Sequence, residues 1–268
     1  MDEFTPIASK EEVEDAIDST GPRCSSCDAP LREEDRFCRK CGLVAGPLDD
    51  AGAAEKKWNA VRQLILFFII EAIICATSFV KALDTFSWMV CGDVLLALVA
   101  IVFVALNWKA CKPLLTWNDF SWGRLLLYCT LAIVASIIIS FVVDWLNLSL
   151  FSKRVSYHAY FSRYNYAIAL TIFFTALTPS LFEELAFRVF LLGKLLMVTE
   201  KRPAIFISAF MFGIMHMSFL SLFWLIPFGL ALAWLRIRHR TMWYGSCIHF
   251  CFNFTVCITE IWQAARHY

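Results

Sequence analysis

Runs of about 20 apolar residues recur along most of this chain, and they restrict its fold more than any other feature. The clearest are Leu64–Val80, Trp88–Leu106 and Gly123–Val143. A helix of about 20 apolar residues crosses a hydrocarbon core roughly 30 Å thick. Lipid offers backbone amides no partner, so such runs are expected to fold as helices. Four further segments extend the pattern: one from Tyr166 to Met197, then Pro203–Met217, Leu220–Leu235 and Met242–Ile261. Apolar residues make up 59% of the chain and mean hydropathy is +0.63, against about 45–50% apolar in soluble domains. Trp88, Trp108, Trp117, Trp122, Trp145 and Trp243 lie near the ends of the runs, where an interfacial belt would place them. The expected fold is an all-α polytopic membrane protein, a bundle of seven to eight transmembrane helices preceded by a small zinc-ribbon module. The eighth would be Val189–Met197, read as an amphipathic or half-membrane piece.

The first 60 residues differ in composition. A polar tail (1–23) leads to Cys24-x2-Cys27 and, ten residues later, Cys38-x2-Cys41. Two such pairs can surround one tetrahedral Zn²⁺ with four thiolates, leaving no position for water, so a zinc here is expected to be structural. The competing reading is a pair of disulfides in an oxidising compartment. The segment 24–42 resembles the zinc ribbons at the N-termini of many prokaryotic membrane proteins, which implies a docking or accessory role toward a protein partner. A linker is expected over 43–60, N-terminal membrane helices over 61–165, a core over 166–261 and a tail over 262–268. With the N-terminus placed in the cytosol, twelve Lys and Arg fall in or beside cytosolic loops and five outside. That bias orients the chain N-in. A net charge of +1 gives no reason to expect a nucleic-acid partner.

Within the fourth apolar segment stands Glu183-Glu184-Leu185-Ala186-Phe187-Arg188. An ionisable side chain at the centre of a membrane helix costs about 2.5–3.5 kcal/mol on insertion scales, so such a cluster reads as a polar site facing protein. Two other helices carry polar groups at one-turn spacing: Phe212-x3-His216 and His249-x3-Asn253. Residues four apart share a helix face. At 1.5 Å per residue, Glu183 lies ~20 Å from Met197, His216 ~20 Å from Pro203, and His249 and Asn253 ~10–17 Å from Met242. The four polar groups therefore fall in one layer. A carboxylate with two imidazoles can activate water directly or through a metal, and an Asn can donate to an oxyanion. Arg188 is expected to pair with Glu184 and leave Glu183 free. Pro179, one turn before Glu183, is expected to kink the helix or free a carbonyl. Glu71 and Asp93 are further intramembrane carboxylates with no motif around them.

Glu183-Glu184-x3-Arg188, Phe212-x3-His216 and His249-x3-Asn253, in that order, resemble the three motifs of the CPBP family of intramembrane proteases, which includes the CAAX prenyl endopeptidases and Abi-type immunity proteins. The resemblance implies an intramembrane (metallo)endopeptidase acting on a membrane peptide or a lipidated, CAAX-type protein in the bilayer. It implies Glu183 as the residue activating water, with Glu184 and Arg188 as part of the catalytic set and His216 as a catalytic or metal-associated partner. His249 and Asn253 would bind a metal or stabilise the oxyanion. An active-site divalent metal such as Zn²⁺, held by His216 and His249, and a water activated by Glu183 alone both stay open. The ribbon resemblance points to a prokaryotic cell membrane. Two other functions are compatible with the residues: a non-proteolytic scaffold or immunity protein docking through the ribbon, and a proton relay or transporter. A transporter would be expected to show paired repeats of broken helices, and no internal repeat is evident in the sequence.

Overall fold

The computed structural model describes residues 22–24, 26–32, 35, 38–42, 48–83, 85–117, 119–152 and 156–266. The polar tail up to residue 21 lies outside the described residues, as do Lys153 and Arg154 of a polar loop. The chain divides into two compact units, Met1–Trp58 and Asn59–Tyr268.

Helix α1 spans Leu48–Ala76 and so begins inside the stretch read as a linker. Two 3₁₀ turns lead to α2 (Phe86–Leu106), whose N-terminus is capped by Thr85 Oγ1 accepting from the Trp88 amide at 3.3 Å. A short α3 (Trp108–Cys111) and a polar loop precede α4 (Trp122–Phe151), capped by Ser121. After a short α5 (Tyr157–Phe161) comes α6, a continuous helix over 167–198. Then follow α7 (Lys201–Met215), α8 (Leu222–His239) and α9 (Trp243–Arg266). There is no β-strand among the described residues; an isolated bridge joins Arg23 and Pro30.

Three stretches are long and apolar enough to cross a membrane: Gly52–Phe79, Phe86–Leu106 and Trp122–Phe151. Their apolar side chains largely face outward, Ile73, Leu98, Leu126 and Phe141 among them. In a soluble protein such surfaces would aggregate; in lipid they are the solvated face. The second unit is a multi-pass membrane bundle. The four later helices contribute most of the buried residues, and they carry the motif residues. In the centre of α6, Val189, Phe190, Leu191 and Leu192 are each at most 1% exposed. Phe67 of α1 and Phe103 of α2 pack on Phe190 with ring centroids 5.0 Å away in both cases. This packing explains a correction. Val189–Met197 is no separate half-membrane piece but the buried continuation of α6, so the described residues hold seven long helices rather than eight.

α6 is not regular. Its α-helical parts, Ala167–Ile172, Thr178–Glu183 and Leu192–Val198, are separated by two π-helical stretches, Phe173–Leu177 and Glu184–Leu191. π-turns widen the helix, leave backbone groups to be satisfied from outside, and are frequent at functional sites. Ser208 of α7 donates to the Phe187 carbonyl at 3.4 Å.

α7 and α8 approach closely where a Cβ on Gly229 would stand 3.1 Å from both Cα and Cβ of Ala209. The backbone there cannot yield as a flexible side chain would. Gly229→Leu is expected to lower stability by roughly 1–3 kcal/mol through overpacking, seen as earlier thermal unfolding in detergent; a variant as stable as wild type would show the helix pair to be loosely packed.

Candidate functional site

Glu184 and Arg188 are buried completely, their side chains 0% exposed. Arg188 Nε lies 3.5 Å from Glu184 Oε2, along the π-helical stretch that carries both. The guanidinium also lies over the Phe212 ring, 4.4 Å from its centroid, a favourable cation–π placement. A second donor reaches Glu184 from α9: His249 Nδ1 is 3.3 Å from Oε1. A carboxylate only accepts, so the proton of that bond sits on Nδ1 of His249. The other imidazole nitrogen, Nε2, then points toward Glu183, 3.8 Å from its Oε2.

Glu183 differs from its neighbour. Its side chain is 32% exposed against 0% for Glu184, although Oε2 of each glutamate has no hydrogen-bond partner. It opens onto a cavity of about 220 Å³ shared with His216, Pro179 and Phe182. His216 ends α7, where its Nδ1 donates to the Phe212 carbonyl at 3.0 Å. A carbonyl cannot donate, so this bond also sets the tautomer and leaves Nε2 for other partners. The sequence expectation that Glu183 and Glu184 have different surroundings holds in the geometry: Glu184 pairs with Arg188 and His249, while Glu183 faces open space.

Asn253 is placed by Pro179. Proline has no N–H, so the carbonyl four residues earlier, that of Thr175, loses its α-helical donor. Asn253 Nδ2 supplies it at 3.0 Å. The freed carbonyl expected at Pro179 is therefore present, and it ties α9 to α6 beside the Glu pair. One N–H of the Asn253 amide is used in this way, and a second remains.

Three residues of the site carried no motif in the sequence. Glu71 of α1 and Asp93 of α2 line the same cavity as Glu183 and His216. Their signal was their chemistry alone, a carboxylate at membrane depth. Gly245 of α9 lies so close to the pair that a Cβ there would be 2.7 Å from Glu184 Oε2. No spacing rule marks such a glycine.

Metal-ligand geometry is found in the first unit. The sulfurs of Cys24, Cys27, Cys38 and Cys41 lie within 4.8 Å of one another, with Cys24–Cys41 at 3.6 Å and Cys27–Cys38 at 3.5 Å. Zn–S bonds of about 2.3 Å at tetrahedral angles put sulfurs roughly 3.8 Å apart, so the donor set fits a tetrahedral metal. The two knuckles are built alike. The Asp28 amide donates to the Cys24 carbonyl at 2.9 Å, and the Gly42 amide to the Cys38 carbonyl at 2.8 Å. Asp28 and Gly42 both adopt positive φ, 54° and 74°, a conformation that glycine and aspartate tolerate best. Amide donors from Cys41 and Lys40 bring the Cys38 thiol down to about 6, whereas at Cys27 the Ala29 amide is outweighed by burial and the neighbouring sulfurs, which push that thiol up to about 12. Without metal the cluster therefore favours a thiolate at Cys38 and a thiol at Cys27. In the second unit, Glu183, Glu184, His216 and His249 bring no three ligand atoms within 4.8 Å of one another. That arrangement does not fit the active-site metal held by His216 and His249 which the family resemblance left open.

Because Glu184 is fixed on two sides, Gly245→Ala must displace either its carboxylate or α9. A loss of roughly 1–3 kcal/mol of stability is expected, read as a lowered unfolding temperature. An unchanged temperature would mean that the carboxylate can move aside freely.

Residues 165–255 match the family model described as Type II CAAX prenyl endopeptidase Rce1-like. No curated protein and no solved structure gives a match. The matched stretch begins just before α6, ends within α9 and contains all seven residues of the three motifs. Over residues 165–255, about a third of the chain, the segment that builds this buried site is thus similar to the Rce1-like CAAX prenyl endopeptidase family.

Proposed function

We propose that the protein is an intramembrane endopeptidase that hydrolyses a peptide bond of a membrane-associated substrate, a prenylated CAAX-type protein or another lipidated or membrane peptide, with Glu183 as the base that activates water. One observation carries this reading: the Glu183 side chain is 32% exposed and lines a cavity in the bundle, while the adjacent Glu184 is fully buried beside Arg188 and His249. Water in the cavity gives a proton to Glu183 as its oxygen attacks the scissile carbonyl. The oxyanion that forms is stabilised by Nε2–H of a protonated His216 and by the second N–H of Asn253. As the C–N bond breaks, Glu183 returns the proton to the leaving amine. His249 bridges the two glutamates and orients Glu183. Arg188 and Glu184 are positioning residues, because they lie wholly out of contact with the cavity water.

The ribbon supports the rest of the assignment. Its four cysteines would hold one structural zinc, and the excess of Lys and Arg in the loops supports a cytosolic position for it. Those basic loops support only the cytosolic side; the ribbon resemblance is what supports a prokaryotic membrane, and there the ribbon would dock a protein partner. The same ribbon is the feature that favours the second reading, a membrane scaffold without peptidase activity.

Glu183→Gln keeps the shape and removes the base. It is expected to reduce cleavage of a prenylated peptide by at least about 100-fold without loss of fold; cleavage at the wild-type rate would refute the assignment. Arg188→Ala leaves Glu184 buried with a weakened set of partners and is expected to destabilise by about 3–5 kcal/mol. Metal analysis should find one zinc per chain in wild type and in His249→Ala, and none in Cys38→Ser. A second equivalent that disappears with His249→Ala would restore the active-site metal.

A further inference from the structure

The cavity above Glu183 has an unusual electrostatic make-up. Glu71, Asp93 and Glu183 all line it, together with His216, and no Lys or Arg does. Glu71 and Asp93 come from α1 and α2, outside the family-matched segment. Glu71 is only 4% exposed, and its Oε1 has no hydrogen-bond partner. Such a buried oxygen costs roughly 1–3 kcal/mol or more unless something completes it. The cation of this layer, Arg188, is committed to Glu184 and the Phe212 ring and is itself 0% exposed. The chain therefore places acceptors around the cavity and supplies no cation to them.

The orientation of the two helices is not accidental. Glu71 and Cys75 both line the cavity, as do Asp93 and Ala97. Each pair is four residues apart, so one face of α1 and one face of α2 turn toward Glu183. On those faces a carboxylate stands where an apolar side chain would be the low-cost choice in lipid.

We infer that Glu71 and Asp93 form a cation-accepting subsite opposite Glu183, which selects substrates with a Lys or Arg side chain close to the cleaved bond. The inference rests on the reading of this cavity as the place where substrate is held. A basic side chain entering the cavity would meet the unpartnered Glu71 oxygen and the Asp93 carboxylate as charge-assisted acceptors. It would also offset the mutual repulsion of three carboxylates. A neutral side chain of equal length would leave Glu71 unsatisfied, and rejection of a ligand lacking a required polar group is the stronger form of discrimination.

Binding separates this subsite from catalysis. The probe is a set of fluorescent farnesylated peptides carrying a single lysine, moved in turn through the three positions on each side of the prenylated cysteine. Each has a partner with norleucine in place of that lysine. Affinity is measured by fluorescence polarisation on the full-length protein in detergent, with Glu183→Gln as background so that nothing is cleaved. At one position or more, lysine should bind at least about tenfold tighter than norleucine, and the ratio should fall toward one in both Glu71→Gln and Asp93→Asn. These replacements keep side-chain volume and remove only charge, so monodisperse elution and the norleucine affinities check that the fold survives. A ratio near one at every position overturns the proposal. So does a lysine preference that survives both substitutions. Lysine-selective binding with no cleavage by wild type would remove the peptidase reading and leave the subsite standing.

Discussion

The bundle is organised around a charge that it cannot expose. Arg188 sits at the middle of α6 with no access to solvent, and removing its partner would leave an isolated ion in the protein interior. Glu184 answers it at 3.5 Å, His249 fixes Glu184 from a second helix, and Phe212 from a third lies under the guanidinium. Three helices that are distant in sequence are thereby held in one register. A buried ion pair is a weak source of net stability, but breaking one is costly. Its effect here is to fix geometry: His249 contacts both Glu184 and Glu183, and His216 is bonded to the carbonyl of Phe212, whose ring lies under the guanidinium.

Backbone defects serve the same end. An ideal helix satisfies its own carbonyls and has nothing to offer a neighbour. α6 departs from the ideal twice, in π-helical stretches on either side of Pro179 and the short α segment that follows it. The Thr175 carbonyl takes Asn253 and the Phe187 carbonyl takes Ser208. Each irregularity becomes a specific hydrogen bond to another helix. Lipid cannot solvate a freed carbonyl, so such defects survive only where protein covers them. This is why α6 lies in the interior while the more regular α1, α2 and α4 face outward.

Much of this was legible in the sequence. The apolar runs marked α1, α2 and α4 to within a few residues at most ends, because hydrophobic length is a property of the segment itself. One-turn spacing identified Glu184 with Arg188 and His249 with Asn253, and helix depth brought them to one layer. The tautomers were not legible, nor was the bond from His249 to Glu184 rather than to Glu183 alone, since both depend on rotation of one helix about its axis. Gly245 and Ala209 contribute by lacking bulk at a contact that only the assembled bundle creates. The burial of Val189–Leu192 was not legible, because it depends on α1 and α2 covering that stretch of α6 with Phe67 and Phe103.

Two adjacent glutamates on one helix thus come to occupy opposite environments. In a regular helix, consecutive residues point about 100° apart, and here that divergence separates a sealed region from an open one. Glu184 turns inward to a cation and an imidazole with no space around it, and Gly245 presses against it to keep that space closed. Glu183 turns to the cavity, where Glu71 and Asp93 give it neighbours that repel and no cation that would quench it. In the role proposed for Glu183, a side chain that accepts a proton from water must be held in place without being neutralised. The neighbouring pair provides the holding, through His249, and the acidic cavity wall leaves the carboxylate unpaired.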